Sequence, residues 1–235
     1  MKSRIFCSWI ILLSLSFPVV AKDADEVEAA LTAIDAGSAI EIKSRLCTGS
    51  ITVFDDETRT QAIAALPAAI CESRAKSDKL RQRVAAIYHQ LLQLHGRTRT
   101  SQQPELFLFE NEIPTAQIWR GCVLLISTGL TAPLYDGELA GILAHELSHA
   151  YFEDEMAAAQ RQRDERAMRI VELKCDGVAV VSLKLMGYNP TCYLTGLQRV
   201  QLITKRLGRS SSILQSHPEL GIRSQFSQRF INALE

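Results

Sequence analysis

Along the first part of the chain, apolar residues recur at spacings of three and four. Val27, Ala30, Leu31 and Ile34 do so. Leu80, Val84, Ile87, Leu91 and Leu94 repeat the pattern behind Ser77, which is placed to cap them, so Asp23 to about Arg97 is predicted helical. The polar run from Thr98 to Pro104 reads as a loop. Beyond it the period changes. Leu106, Leu108 and Glu110 suggest one strand, and Ala116 to Ser127 a second, apolar one bounded by Pro114 and Gly129. Everything after Asp136 reads as helix. Asp136 can cap a helix running to Ala150 or further, and a charged helix from about Ala159 ends near Gly187, ahead of Asn189-Pro190. Two more helices follow, split by the Gly208 to Ser212 loop. No repeat or low-complexity tract interrupts this order, so the expected fold class is α+β, mostly helical, with one small sheet.

The start of the chain changes the picture. Lys2 and Arg4 precede an apolar run from Ile5 to Leu15, then Pro18 and Val19-Val20-Ala21 ahead of Lys22-Asp23. This is the layout of a secretory signal peptide, residues 1–21, cleaved after Ala21. Its apolar core is shorter than the ~20 residues of a spanning helix, and no later run reaches that length. The expectation is therefore an exported chain, periplasmic or secreted, with no integral span after signal removal. Residues 22–235 are expected to form a single domain, with 22–103 a helical N-terminal part and 104–235 the catalytic core.

Charge excludes one class of partner. The chain carries 26 basic and 26 acidic residues, and removing Lys2 and Arg4 leaves a slightly acidic mature protein with no nucleic-acid footprint. Export permits disulfides. The mature residues keep Cys47, Cys71, Cys122, Cys175 and Cys192, an odd number, so at least one thiol lacks an intrachain partner; Cys47 with Cys71 is the expected bridge.

Within the helix that begins near Asp136 stands His145-Glu146-Leu147-Ser148-His149. Two histidines at i and i+4 share one helical face and can reach the same ion, while Glu146 is placed as general base for the ion's water. A zinc there, one per chain, polarises a scissile carbonyl and lowers the pKa of its water to about 7. A catalytic zinc needs a third protein ligand. Glu172 and Asp176 stand at i and i+4 on the next long helix among Ile170, Val171, Leu173, Val178, Ala179 and Val180, and carboxylates in such company need a partner. Glu172 completes a His₂Glu set, and Asp176 is expected to receive a ring N–H from one histidine. Cys175, beside Asp176, is the alternative: a fourth ligand that would make the zinc structural.

Three separated motifs resemble those of the HtpX-like and CAAX prenyl endopeptidase-like zinc metallopeptidases, peptidase family M48, of the gluzincin type. They are His145-Glu146-x-x-His149, Glu172-x-x-x-Asp176, and Ser216-His217-Pro218 followed by Arg223. The resemblance implies a zincin-like fold around the HExxH helix. It also places His217 and Arg223 at the catalytic site, where both can donate hydrogen bonds to a tetrahedral oxyanion. The other reading of Ser216-His217-Pro218 is the start of the last helix. A fourth stretch, Ala116 to Leu130, is similar to the family's substrate-binding edge strand; it keeps Ala116, Gly121 and the Thr128-Gly129-Leu130 ending, has Cys122 where a second Gly is usual, and has Trp119 and Arg120 where Leu-Pro is usual. An extended peptide adds to such an edge through main-chain hydrogen bonds.

The expected function is a zinc metalloendopeptidase acting on polypeptides, exported or misfolded proteins of the bacterial envelope, with other envelope proteins as partners. The alternative is a chaperone-like or assembly factor whose zinc site is latent, closed by a loop or by His217. An aminopeptidase of the same metal type is a third reading.

Overall fold

The computed structural model describes residues 17–34, 55–97, 99, 103–208 and 218–234, with side chains from Asp25 onward. Among these, helices α1 (Phe17–Ile34), α2 (Asp56–Ala64), α3 (Ala68–Glu72) and α4 (Asp78–Leu94) come before strands β1 (Glu105–Phe109), β2 (Ala116–Trp119) and β3 (Val123–Ser127). There follow α5 (Thr128–Thr131), α6 (Asp136–Ser148), a 3-10 turn (His149–Tyr151), α7 (Glu153–Gln162), α8 (Glu165–Leu185), α9 (Cys192–Leu207) and α10 (Leu220–Leu234). The fold is mostly helical with one three-stranded sheet, consistent with a zincin-like architecture. No described helix is long and apolar enough to cross a membrane.

The long apolar segment expected as one strand is two. Arg120 (φ 47) and Gly121 (φ 73) both take left-handed backbone, which reverses the chain between β2 and β3. Glycine adopts that conformation at no steric cost, so Gly121 serves the turn rather than an extended stretch. The sheet order is β1-β3-β2, with β3 parallel to β1 and antiparallel to β2. β3 is buried along its whole length and divides the apolar interior. Leu124 and Ile126 face the main core, while Val123 and Leu125 join Ala62, Leu66, Phe107 and Phe109 on the opposite face, as the two-residue alternation of a strand requires.

Helix ends are set by single side chains. Ser77 accepts the Leu80 N–H at the start of α4, whose buried stripe is Val84, Ile87, Tyr88, Leu91 and Leu92. α6 opens differently from expectation: the Glu138 carboxylate accepts the Tyr135 N–H at 2.9 Å, while Asp136 accepts from Arg83 Nε at 2.7 Å. The charged helix expected from Ala159 onward is broken, because Arg163 turns left-handed (φ 55) and Asp164 caps a new helix by accepting from Ala167 N–H at 3.0 Å. The second of these helices, α8, is central, touching α6 on one side and α1 and α10 on others.

α1 runs through Ala21, the predicted cleavage point, to Ile34. Its Glu26 is fully buried and accepts two hydrogen bonds from Arg169 on α8, at 2.9 and 2.8 Å. Val27, Ala30 and Ile34 extend the main core beside it, so the N-terminal helical part and the region beyond residue 104 share one interior. The expected Cys47–Cys71 bridge has no support at its second member: Cys71 carries a free, exposed thiol, and Cys47 lies outside the described residues.

Candidate metal centre

α6 is buried from Gly137 to Ser148. Its last turn is secured from outside: Arg97, itself 1% exposed, donates through Nη2 to the Leu147 carbonyl at 3.2 Å, a cation at the negative end of the helix. Ser148 donates to the His145 carbonyl at 2.5 Å. His145 therefore sits on rigid helix, and His149 sits where the helix tightens into the 3-10 turn.

α8 brings Glu172 to these two rings. Its Oε2 is 3.4 Å from His145 Nε2 and 3.9 Å from His149 Nε2, and one ligand atom from each of the three residues lies within 4.8 Å of the others. Ligands of a tetrahedral ion bonded at 2.0–2.2 Å lie roughly 3.3–3.6 Å from one another. The Glu172–His145 separation lies in that range and the Glu172–His149 separation slightly beyond it, and the His₂–carboxylate donor set is the one a zinc-sized cation takes. Cys175 is not among the converging donors. Its Sγ lies 3.6 Å from His149 Nδ1, behind the ring rather than at Nε2, and burial pushes its thiol pKa well up.

Asp176 stands behind the other ring. Its Oδ1 is 2.9 Å from His145 Nδ1, the arrangement that turns Nε2 toward the Glu172 carboxylate, where a metal would sit. Burial opposes the Asp176 charge, but Arg223 holds the carboxyl well below the usual range. Arg223 is 1% exposed and grips Asp176 with Nε (3.0 Å to Oδ2) and Nη2 (2.7 Å to Oδ1). Two of its three nitrogens are thus spent on Asp176, on the Nδ1 side of His145, while its buried Nη1 has no hydrogen-bond partner among the described residues. His217 and Ser216 lie outside the described residues.

Glu146 is 4% exposed, and burial raises its pKa to about 7, with Glu172 adding to the rise. A carboxyl with that pKa both takes and returns protons near neutrality. The Ile118 N–H on β2 faces it and works against that rise. Ser127 N–H donates to the Thr115 carbonyl at 3.0 Å, and antiparallel pairs alternate. The main-chain groups of Ala116 and Ile118 therefore point away from β3, along the free edge beside Glu146. Trp119 belongs to the other face. Its indole N–H donates to the Ala62 carbonyl at 3.0 Å, and its ring packs with the second apolar cluster, so its side chain turns away from the metal donors.

Sequence reasoning missed Tyr193. This fully buried residue donates to Asp176 Oδ1 at 2.6 Å, and its hydroxyl lies 3.0 Å from His145 Nδ1. Nothing in its local sequence marks it, since a Tyr on an amphipathic helix is ordinary core. Arg97 was equally invisible.

A model of peptidase family M48 matches residues 78–170, from α4 to the opening turns of α8. The match contains His145, Glu146 and His149 and ends two residues before Glu172, so the third donor rests on the geometry above. No curated protein matches the chain.

Proposed function

From the match of residues 78–170 to peptidase family M48, metallopeptidases that hydrolyse peptide bonds, we propose a zinc-dependent endopeptidase acting on exported or misfolded proteins of the cell envelope. One observation carries the reading: His145, His149 and Glu172 bring ligand atoms within 4.8 Å of one another, and the buried Glu146 feels both Glu172 and the Ile118 N–H of β2. Zinc held by those three residues supplies Lewis-acid polarisation of the scissile carbonyl and acidifies the attacking water.

The protein's own groups do the rest. An extended polypeptide adds to β2 through the outward main-chain groups of Ala116 and Ile118, which favours any unfolded segment over a particular side chain. Glu146 takes the proton from the attacking water and passes it to the leaving amine, a duty suited to a pKa near 7. Asp176 keeps the His145 ring turned so that Nε2 faces the donors. His217, by its place in the motif, is assigned to the oxyanion. The signal-like residues 1–21 support export to the periplasm or beyond.

Cleavage of an unfolded protein by the purified chain should vanish with a chelator, return with zinc, and fall about 10²–10⁴-fold in Glu146→Gln. Undiminished cleavage in Glu146→Gln overturns the mechanism. One feature favours a second reading, a latent site in a chaperone-like factor: the Ile118 N–H that would meet substrate already faces the buried Glu146 carboxylate. Full rescue of a deletion strain by Glu146→Gln would select it.

A further inference from the structure

Tyr193 closes a buried ring of four polar side chains drawn from four helices. Its hydroxyl donates to Asp176 Oδ1 at 2.6 Å, accepts from Arg223 Nη2, and lies 3.0 Å from His145 Nδ1. Its aromatic ring is nearly parallel to the His145 imidazole, 19° apart with centroids at 6.1 Å. The helix packing makes room for this contact. A Cβ on Gly141, one turn before His145, would come within 3.0 Å of Tyr193 Cδ2 and 3.3 Å of its Cα. A Cβ on Gly196 would sit 3.3 Å from the Glu138 carbonyl oxygen. Glycines on both helices thus bring α9 against α6 and deliver the hydroxyl to the back of a metal donor.

We propose that Tyr193 is a positioning residue for His145 in metal binding. A ligand imidazole needs its outer nitrogen held as a donor so that the inner one faces the ion. Three donors converge on Asp176 Oδ1: His145 Nδ1–H, Tyr193 O–H and Arg223 Nη2–H. By accepting from Arg223 while donating to Asp176, the hydroxyl bridges the cation and the carboxylate. It fixes the oxygen that the His145 N–H must reach. Without it, Arg223 Nη2 loses an acceptor at a fully buried position, Asp176 shifts toward the guanidinium, and the imidazole loses its register. The inference rests on reading His145 as a metal ligand.

The test is the zinc affinity of the full chain, measured by competition with a chelating indicator. Tyr193→Phe keeps the ring and removes only the hydroxyl. Tyr88→Phe is its control, because Tyr88 is also buried but donates to the Pro104 carbonyl at 2.5 Å, from α4. Zinc binding should weaken about 10- to 100-fold in Tyr193→Phe and stay within twofold in Tyr88→Phe, although both melt at lower temperature. Gly141→Ala, which keeps the hydroxyl but displaces the ring, should weaken zinc binding in the same direction, and it decides alone if Tyr193→Phe does not fold. Zinc affinity within twofold of wild type in the folded variants overturns the proposal and leaves Tyr193 a core residue. Because the readout is metal binding, a wild type that binds zinc but cleaves no protein would defeat the endopeptidase reading and leave this one standing. A wild type without zinc affinity defeats both.

Discussion

Two histidines four residues apart on one helix live in opposite surroundings. His145 is 2% exposed and backed by a charged network of Asp176, Arg223 and Tyr193. Burial works against its proton, but hydrogen bonds to Asp176 and Glu172 carry its pKa up to about 9. The His149 side chain is 25% exposed, begins a 3-10 turn, and has a thiol at its Nδ1. Burial lowers its pKa to about 4, and the charge of His145 adds to the fall. The spacing of the motif makes the two rings equivalent as donors, whereas tertiary contacts make one a donor fixed by charged hydrogen bonds and the other a more adaptable one backed by a thiol. The lesson is that two donors equivalent in the sequence can be backed by quite different groups in the fold.

Removing the fixed side should have the largest effect. Asp176→Ala leaves the Arg223 cation buried without its carboxylate, and breaking such a pair costs about 3–5 kcal/mol. Denaturant unfolding of the metal-free protein measures this, with a parallel loss of zinc affinity. A cost below about 1 kcal/mol would mean the two sides are alike.

The next effect separates the rings by pH. In the metal-free protein the raised His145 pKa gives stability that is fully present below the ordinary value of 6.5 and is lost as pH rises through about 9. The depressed His149 pKa gives stability present above 6.5 and lost as pH falls through about 4. Glu146, raised to about 7, slopes against His149 between 4.5 and 7, since the folded form keeps its proton there. Each limb is therefore read as wild type minus variant: His145→Gln should remove the alkaline loss and His149→Gln the acid loss. The same limb in both differences would erase the distinction.

The smallest effect is expected on the adaptable side. Cys175→Ala removes a weak sulfur partner of His149. Zinc affinity should fall by less than the roughly 10- to 100-fold usual for a carboxylate or carbonyl partner. A loss matching that of Asp176→Ala would show His149 to be held as firmly as His145.

Much of this was legible in the residues. The i, i+4 spacing of His145 and His149 fixes their shared face on any helix, and Glu172 and Asp176 stood out because carboxylates in an apolar run demand a partner. The stripe from Leu80 to Leu91 and the Ser77 cap were equally local. Other features were not. The break at Arg163 follows from one left-handed residue of a type that ordinarily favours helix, and the hairpin from Arg120 and Gly121 inside an apolar run. Arg223 was visible, but its partner was not, since nothing in the sequence says which way a buried guanidinium turns.

The sequence by itself determined the donor types and their helical spacing, because these depend on residue identity and on the 3.6-residue repeat, which act over a single turn. Only the tertiary structure decided that Glu172 Oε2 reaches both rings, that Arg223 serves Asp176, and that Tyr193 enters the network at all. Those contacts join side chains 17 to 78 residues apart, and they depend on how closely α6, α8, α9 and α10 can approach, which is set by packing and by small residues such as Gly141 rather than by any local preference of the chain.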